Sequence, residues 1–201
     1  MNLSEEFRIR ASAGGQISGI KGLGKTGETY IKSWVKERIY GRRKHLSNKF
    51  LDKGNACENQ AIDFLSKELF DGAMMFKNEE FFRDDYFTGT PDIIFNGSIL
   101  DVKCSWDAFT FPLFEKELPT KDYFYQMQIY MELTGLKRAE VIYCLMNTPE
   151  DLIYSESPKD HNYDSIEPQF RLKRFEVLKD EKVIEKLKER VLEARNYIKG
   201  L

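Results

Sequence analysis

The stretch that most limits what this chain can fold into is residues 89–106, GTPDIIFNGSILDVKCSW. Its centre, Asn96-Gly97, is the strongest short-range signal for a two-residue type I′ hairpin turn, because that turn needs positive φ at both central positions. With the turn there, Phe95 pairs with Ser98 and Asp92 falls opposite Asp101. Side chains facing each other across such a pair have Cβ atoms about 4.5–5.5 Å apart. Lys103, two residues beyond Asp101, points to the same face. Ile93, Phe95, Leu100, Val102 and Cys104 take the other. One side of the hairpin therefore packs, and the other presents Asp, Asp and Lys. Two facing carboxylates repel unless a cation lies between them, and hard oxygen ligands suit Mg²⁺ or Mn²⁺. A lysine beside such an ion can hold or deprotonate an attacking water and offset phosphate charge. The plainer alternative is a surface hairpin with a cross-strand Asp–Lys ion pair.

The remaining composition excludes several classes. At 41% hydrophobic and 32% charged over 201 residues, the chain has the balance of a soluble globular protein with a sizeable core. No apolar run is long enough to span a bilayer. The opening MNLSEEFRIR lacks the apolar stretch of a signal peptide. Three cysteines (Cys57, Cys104, Cys144) fit no CxxC spacing, so a cytoplasmic location is expected and a zinc or iron–sulfur site is not. The two histidines, His45 and His161, sit in no motif. Net charge is −2, but residues 1–49 carry eleven Lys/Arg against four acids, +7, which leaves −9 for the rest. A basic third on an acidic body is the footprint of a polyanion partner, or else a solvated helix with spare lysines.

Periodicity gives a mixed α/β order in one domain. Residues 1–49 form its basic DNA-binding part, 50–147 the catalytic core, 148–168 an acidic surface loop, and 169–201 a C-terminal strand and helix. A glycine-rich loop or short helix over 13–25 leads to a helix capped by Thr26 and running to about Tyr40, with Trp34 and Ile39 as apolar positions. A second helix is expected from about Leu46 to Leu69, with Cys57, Ala61, Phe64 and Leu65 buried. Strands follow near 74–82, 87–95 and 98–105. A helix over 121–134, strands over 139–146 and 170–178, and a helix from Asp180 to Ile198 complete the order.

Pro91-Asp92, then Asp101-Val102-Lys103 after eight residues, resembles the PD-(D/E)xK nuclease signature. Three further segments sharpen the likeness to the lambda-exonuclease, YqaJ-like viral recombinase type. They are the Lys53–Asn59 helix carrying Glu58, the strand end Asp101-Val102-Lys103-Cys104, and Tyr125–Tyr130 with its two glutamines, followed by Leu133-Thr134-Gly135. The last also resembles the QxxxY helix of RecB-type nucleases. The resemblance implies an α/β restriction-endonuclease-like core with a central mixed β-sheet flanked by helices. It implies a metal-dependent 5′→3′ exonuclease on duplex DNA ends, phage-derived, using Mg²⁺ or Mn²⁺ and acting in the host cytoplasm. An annealing-protein partner and a homotrimer belong to the same implication. Glu58, Asp92 and Asp101, with the Val102 carbonyl, would be metal ligands, and Lys103 the catalytic lysine. Gln126 or Gln128, with Tyr130, would complete the catalytic set. On a helix Gln126 and Tyr130 share a face and Gln128 does not. Asp84 or Asp85 would add a second-metal carboxylate, or merely turn the chain. Arg8, Arg10, Ser12, Lys21 and Lys25 stand where the family binds a 5′-phosphate, and Arg42, Arg43 and Lys44 add backbone contacts. Two other functions stay open: a structure-selective or nicking endonuclease on the same core, and a non-catalytic DNA-binding module.

Overall fold

The computed structural model of the chain describes residues 2–44, 48–154 and 156–201. Its elements run α1 (Leu3–Glu6), β1 (Ile9–Arg10), α2 (Gly24–Tyr40), α3 (Lys49–Leu69), β2 (Phe82–Arg83), β3 (Phe87–Gly89), β4 (Ile93–Phe95) and β5 (Ser98–Cys104). They continue with α4 (Lys121–Thr134), β6 (Arg138–Cys144), β7 (Leu172–Leu178) and α5 (Glu181–Lys199). The central sheet is four-stranded in the order β4-β5-β6-β7. Only its middle pair, β5 with β6, is parallel. A second sheet, β1-β3-β2, pairs β1 parallel and β2 antiparallel to β3. Helices flank mixed sheets, which is the restriction-endonuclease-like arrangement expected.

The two sides of the central sheet bury different sets. Cys57, Ala61, Ile62 and Leu65 of α3 pack on Ile93, Leu100, Val102 and Ile142. Ile99, Val141 and Phe175 meet Met127 and Ile129 of α4 and the apolar stripe of α5 on the opposite side. Because β5 is covered on both faces, Asp101 on the second face is fully buried rather than solvent-facing. The turn forms as its residues require, with Asn96 at φ 47 and Gly97 at φ 74, and pairs Phe95 with Ser98.

Three local readings change. Thr26 does not cap α2; that helix starts at Gly24, after Leu23, without a side-chain cap. Ile39 is exposed, while Trp34 packs in the core. The segment 74–82 is not a strand until Phe82, and Met74 and Phe76 point to solvent. Before Phe82 it forms no ladder pair. Asn78 instead ties the segment to the hairpin by side-chain and backbone bonds. Leu46 and Ser47, at the expected start of the second helix, lie outside the described residues, as does His45; Asn48 caps that helix by accepting from Phe50 N and Leu51 N. The acidic loop is anchored rather than loose. Thr148 Oγ1 meets His161 Nδ1 at 2.9 Å, and Tyr163 N donates to Asn147 Oδ1 at 2.7 Å.

Candidate active site

The β4–β5 hairpin and α4 build the site. One step past the last ladder pair, Ile93–Leu100, the backbone of Asp92 leaves the sheet. Its Oδ2 accepts the Val102 N–H at 3.0 Å. Asn78 fixes this departure: its N–H donates to the Asp92 carbonyl at 2.7 Å and its Nδ2 to the Pro91 carbonyl at 3.0 Å. In a strand the N–H and C=O of one residue point the same way, so the Val102 carbonyl also faces the gap beside Asp92. Asp101 sits at the centre of β5. Its Oδ2 lies 2.6 Å from Lys103 Nζ, without a well-aligned hydrogen bond. Its Oδ1 accepts from Gln126 Nε2 at 3.2 Å, and the same amide reaches the Tyr130 hydroxyl at 3.1 Å. Glu58, on α3, is half-buried and paired with Lys77. Its charge is felt by both aspartates.

The charges are unbalanced. Burial, then the Asp101 charge, push Asp92 up to about 7 against the pull of Lys103 and the Val102 N–H. Burial also raises Asp101, with Lys103 opposing. Burial disfavours the Lys103 ammonium, but Asp101 and Asp92 outweigh it and hold the amine above the ordinary lysine range. One lysine thus faces two converging carboxylates with a third nearby. The residues fit a hard divalent cation on this ground: a buried Asp101 oxygen without an aligned donor, a second carboxylate beside it, and a backbone carbonyl on the same edge. Among the described residues no three His, Cys, Asp or Glu are grouped so as to hold a metal ion, so the side chains offered to a cation here are the two aspartates, with Glu58 apart from them.

A groove of about 810 Å³ adjoins the site through Tyr130, which lines it and meets Gln126. Arg8, Arg10, Arg38, Arg42, Arg43 and Arg83 line it, together with Ser12 and Gly89, and with only Glu6 and Glu37 as acids. Gly89 has no room for a side chain, because a Cβ there would lie 2.6 Å from the Tyr130 ring. Tyr130 therefore touches the groove on one side and the Gln126–Asp101 bond on the other.

No protein-family model and no curated protein matches the chain. Solved structures do. A phage-related exonuclease from Haemophilus somnus 129PT superposes with a TM-score of 0.84 at 28% identity, covering 97% of this chain and 96% of its own. In fold, the chain is similar to this phage-related exonuclease over almost its whole length, which agrees with the PD-(D/E)xK resemblance of its motifs. LHK-Exo in complex with dAMP follows at a TM-score of 0.71 and 15% identity, over 99% of this chain and 91% of that one. The alkaline exonuclease LHK-Exo from Laribacter hongkongensis, at 0.68 and 18% over 96% and 91%, adds to the likeness in fold.

Within this phage-exonuclease fold the expected residues divide. Asp92, Asp101, Val102, Lys103, Gln126 and Tyr130 come together, with Glu58 at the margin. Gln128 is directed elsewhere: Nε2 donates to the Leu178 carbonyl at 2.8 Å and Oε1 accepts Asp180 N at 2.8 Å, which joins β7 to α5. Arg8, Arg10, Ser12, Arg42 and Arg43 share the groove, whereas Lys21, Lys25 and Lys44 do not line it. Arg8 also braces the chain through the Asp84 carbonyl at 2.7 Å. Asp84 turns the backbone by accepting Tyr86 N and Phe87 N at 2.7 and 2.6 Å. Sequence reasoning missed Asn78, Lys77, Arg83 and Tyr123. Only Tyr123 carried a readable signal, since it lies three residues before Gln126 and so on the same helical face. Among the described residues, no helix is long and apolar enough to cross a membrane.

Proposed function

We propose that this protein is a metal-dependent deoxyribonuclease that degrades duplex DNA from an end. The observation that carries the reading is the Asp92/Asp101/Lys103 cluster, joined through Gln126 and Tyr130 to an arginine-lined groove, in a chain with the fold of a phage-related exonuclease. The arginines contact phosphates, which positions a strand without reading its bases. Gln126, bonded to Tyr130, holds Asp101 by its Oδ1, so its Oδ2 faces Lys103. Asp92, Asp101 and the Val102 carbonyl would hold Mg²⁺ or Mn²⁺, with Glu58 reaching it through solvent or on release from Lys77. The bound ion supplies Lewis acidity at the scissile phosphate and acidifies a water. Lys103, kept protonated by Asp101, donates to phosphate oxygens and stabilises the charge that develops there. The other role for this lysine, as the base that deprotonates the attacking water, needs an uncharged amine, which a cation shared by Asp92 and Asp101 would favour by drawing off their charge. Cleavage at the 3′-oxygen leaves 5′-phosphates, and the resemblance extends the proposal to 5′→3′ polarity, an annealing partner and a trimer.

The test is end-labelled linear duplex, with and without a 5′-phosphate, against covalently closed circles, each with Mg²⁺, Mn²⁺ or chelator. Progressive shortening of linear DNA alone, absent in chelator, is expected. Equal cutting of closed circles would replace the exonuclease reading with the endonuclease one. No metal-dependent cleavage of either substrate would overturn the assignment.

A further inference from the structure

Two groups meet the ammonium of the catalytic-site lysine, and only one of them is a carboxylate. Besides Asp101, the face of the Tyr123 ring lies 4.7 Å from Lys103 Nζ, measured to the ring centroid. Tyr123 enters from the first turn of α4, three residues before Gln126 and seven before Tyr130. The three therefore form one helical stripe over the site. The ring is itself supported. Tyr143, the neighbour of Lys103 across the β5–β6 pair, meets it edge-on with centroids 6.2 Å apart. Phe175 of β7 backs Tyr143 at 5.8 Å. A row of three aromatic rings running from the core thus ends on the ammonium group.

We infer that Tyr123 is a positioning residue that holds the Lys103 ammonium over its ring face by a cation–π contact, fixing where that charge meets the scissile phosphate. The physical need follows from the geometry. A lysine side chain has four rotatable bonds, and a carboxylate at 2.6 Å restrains only the distance to one oxygen. The electron-rich ring face adds a second restraint on the ammonium and favours the charged form. When substrate or an ion draws on Asp101, the ring remains. This inference rests on the nuclease reading for its effect on rate, but the contact exists or fails independently of it.

The tests separate the two. In the free protein, the Lys103 ε-methylene protons lie against a ring face and should resonate upfield of the position of a solvent-exposed lysine. Tyr123→Leu should abolish that shift. In the cleavage assay, Tyr123→Phe keeps the ring and should retain the wild-type rate. Tyr123→Leu should lower the maximal rate roughly 5- to 30-fold, the range a partly desolvated cation–π contact gives, with the DNA concentration for half-maximal rate unchanged. Replacing Tyr123 by phenylalanines of increasing ring fluorination, which preserve shape and fold, should lower the rate in steps as the ring face loses electron density. An ordinary Lys103 shift in the wild type, or a flat fluorination series in an active enzyme, would overturn the inference. A wild type that shows the ring shift yet cleaves no DNA would overturn the nuclease reading alone.

Discussion

Replacing Asp92 with asparagine should stabilise the metal-free protein while abolishing cleavage. The Asp92 carboxyl moves from an ordinary value of 3.8 to about 7 in the fold, chiefly through burial and then the Asp101 charge. A carboxyl raised in this way favours the folded state only while protonated. Below pH 3.8 both folded and unfolded chains carry it neutral, and it adds nothing. Between pH 4 and 7 the unfolded chain ionises first, so folding loses stability as pH rises, and above about 7 the loss is constant. At 1.36 kcal/mol per pH unit the ceiling is about 4 kcal/mol. Asp92 keeps some solvent contact, so roughly half of that is expected, or about 4–8 °C in Tm for a chain of this size. Asparagine keeps an oxygen for the Val102 N–H. The assay is thermal and urea unfolding of both proteins in chelator from pH 4.5 to 8.5. The variant's advantage should grow with pH and level off near 7 to 8. Added Mg²⁺ should narrow the gap by stabilising only the wild type. No advantage at pH 8, or one as large at pH 4.5, would refute the argument that these carboxylates are charge-frustrated without a cation.

Gly89→Ala pushes a methyl group into the Tyr130 ring, so cleavage should fall at least tenfold while DNA binding, measured by anisotropy, changes little. Gln126→Ala should depress the cleavage rate without a large change in Tm. Gln128→Ala should do the reverse, costing about 1–3 kcal/mol for the two bonds lost between β7 and α5 and leaving the rate per folded molecule unchanged. Arg42→Ala with Arg43→Ala should flatten the slope of log binding constant against log salt by nearly one per residue removed; an unchanged slope would mean that DNA enters elsewhere. Lys53→Met should destabilise by roughly 2–4 kcal/mol in urea unfolding, because the fully buried amine bonds the Trp106 and Met146 carbonyls at 2.8 and 2.7 Å.

What the sequence determined by itself was local. Asn96-Gly97 specifies its turn through the φ values only those residues tolerate, and a period of two then places Asp92, Asp101 and Lys103 on one side of the hairpin. The α4 and α5 helices were legible because Thr120 and Asp180 cap them and apolar spacing carries them through. The tertiary structure decided whatever depends on what lies opposite. Gln126 and Gln128 are equivalent in composition, and only the packing of α4 across β5 turns one to Asp101 and the other to the β7–α5 junction. Segment 74–82 reads as a strand from its apolar and aromatic content, but it pairs only from Phe82, and its Asn78 ties it to Asp92 and Pro91 instead. The groove joins arginines from residues 8–10, 38–43 and 83, which no periodicity relates. The lysine that matters to the chemistry finds an aromatic ring from a helix twenty residues on. Such contacts are set by chain crossings and by the burial of both faces of β5, and a one-dimensional pattern holds no record of which surfaces will meet.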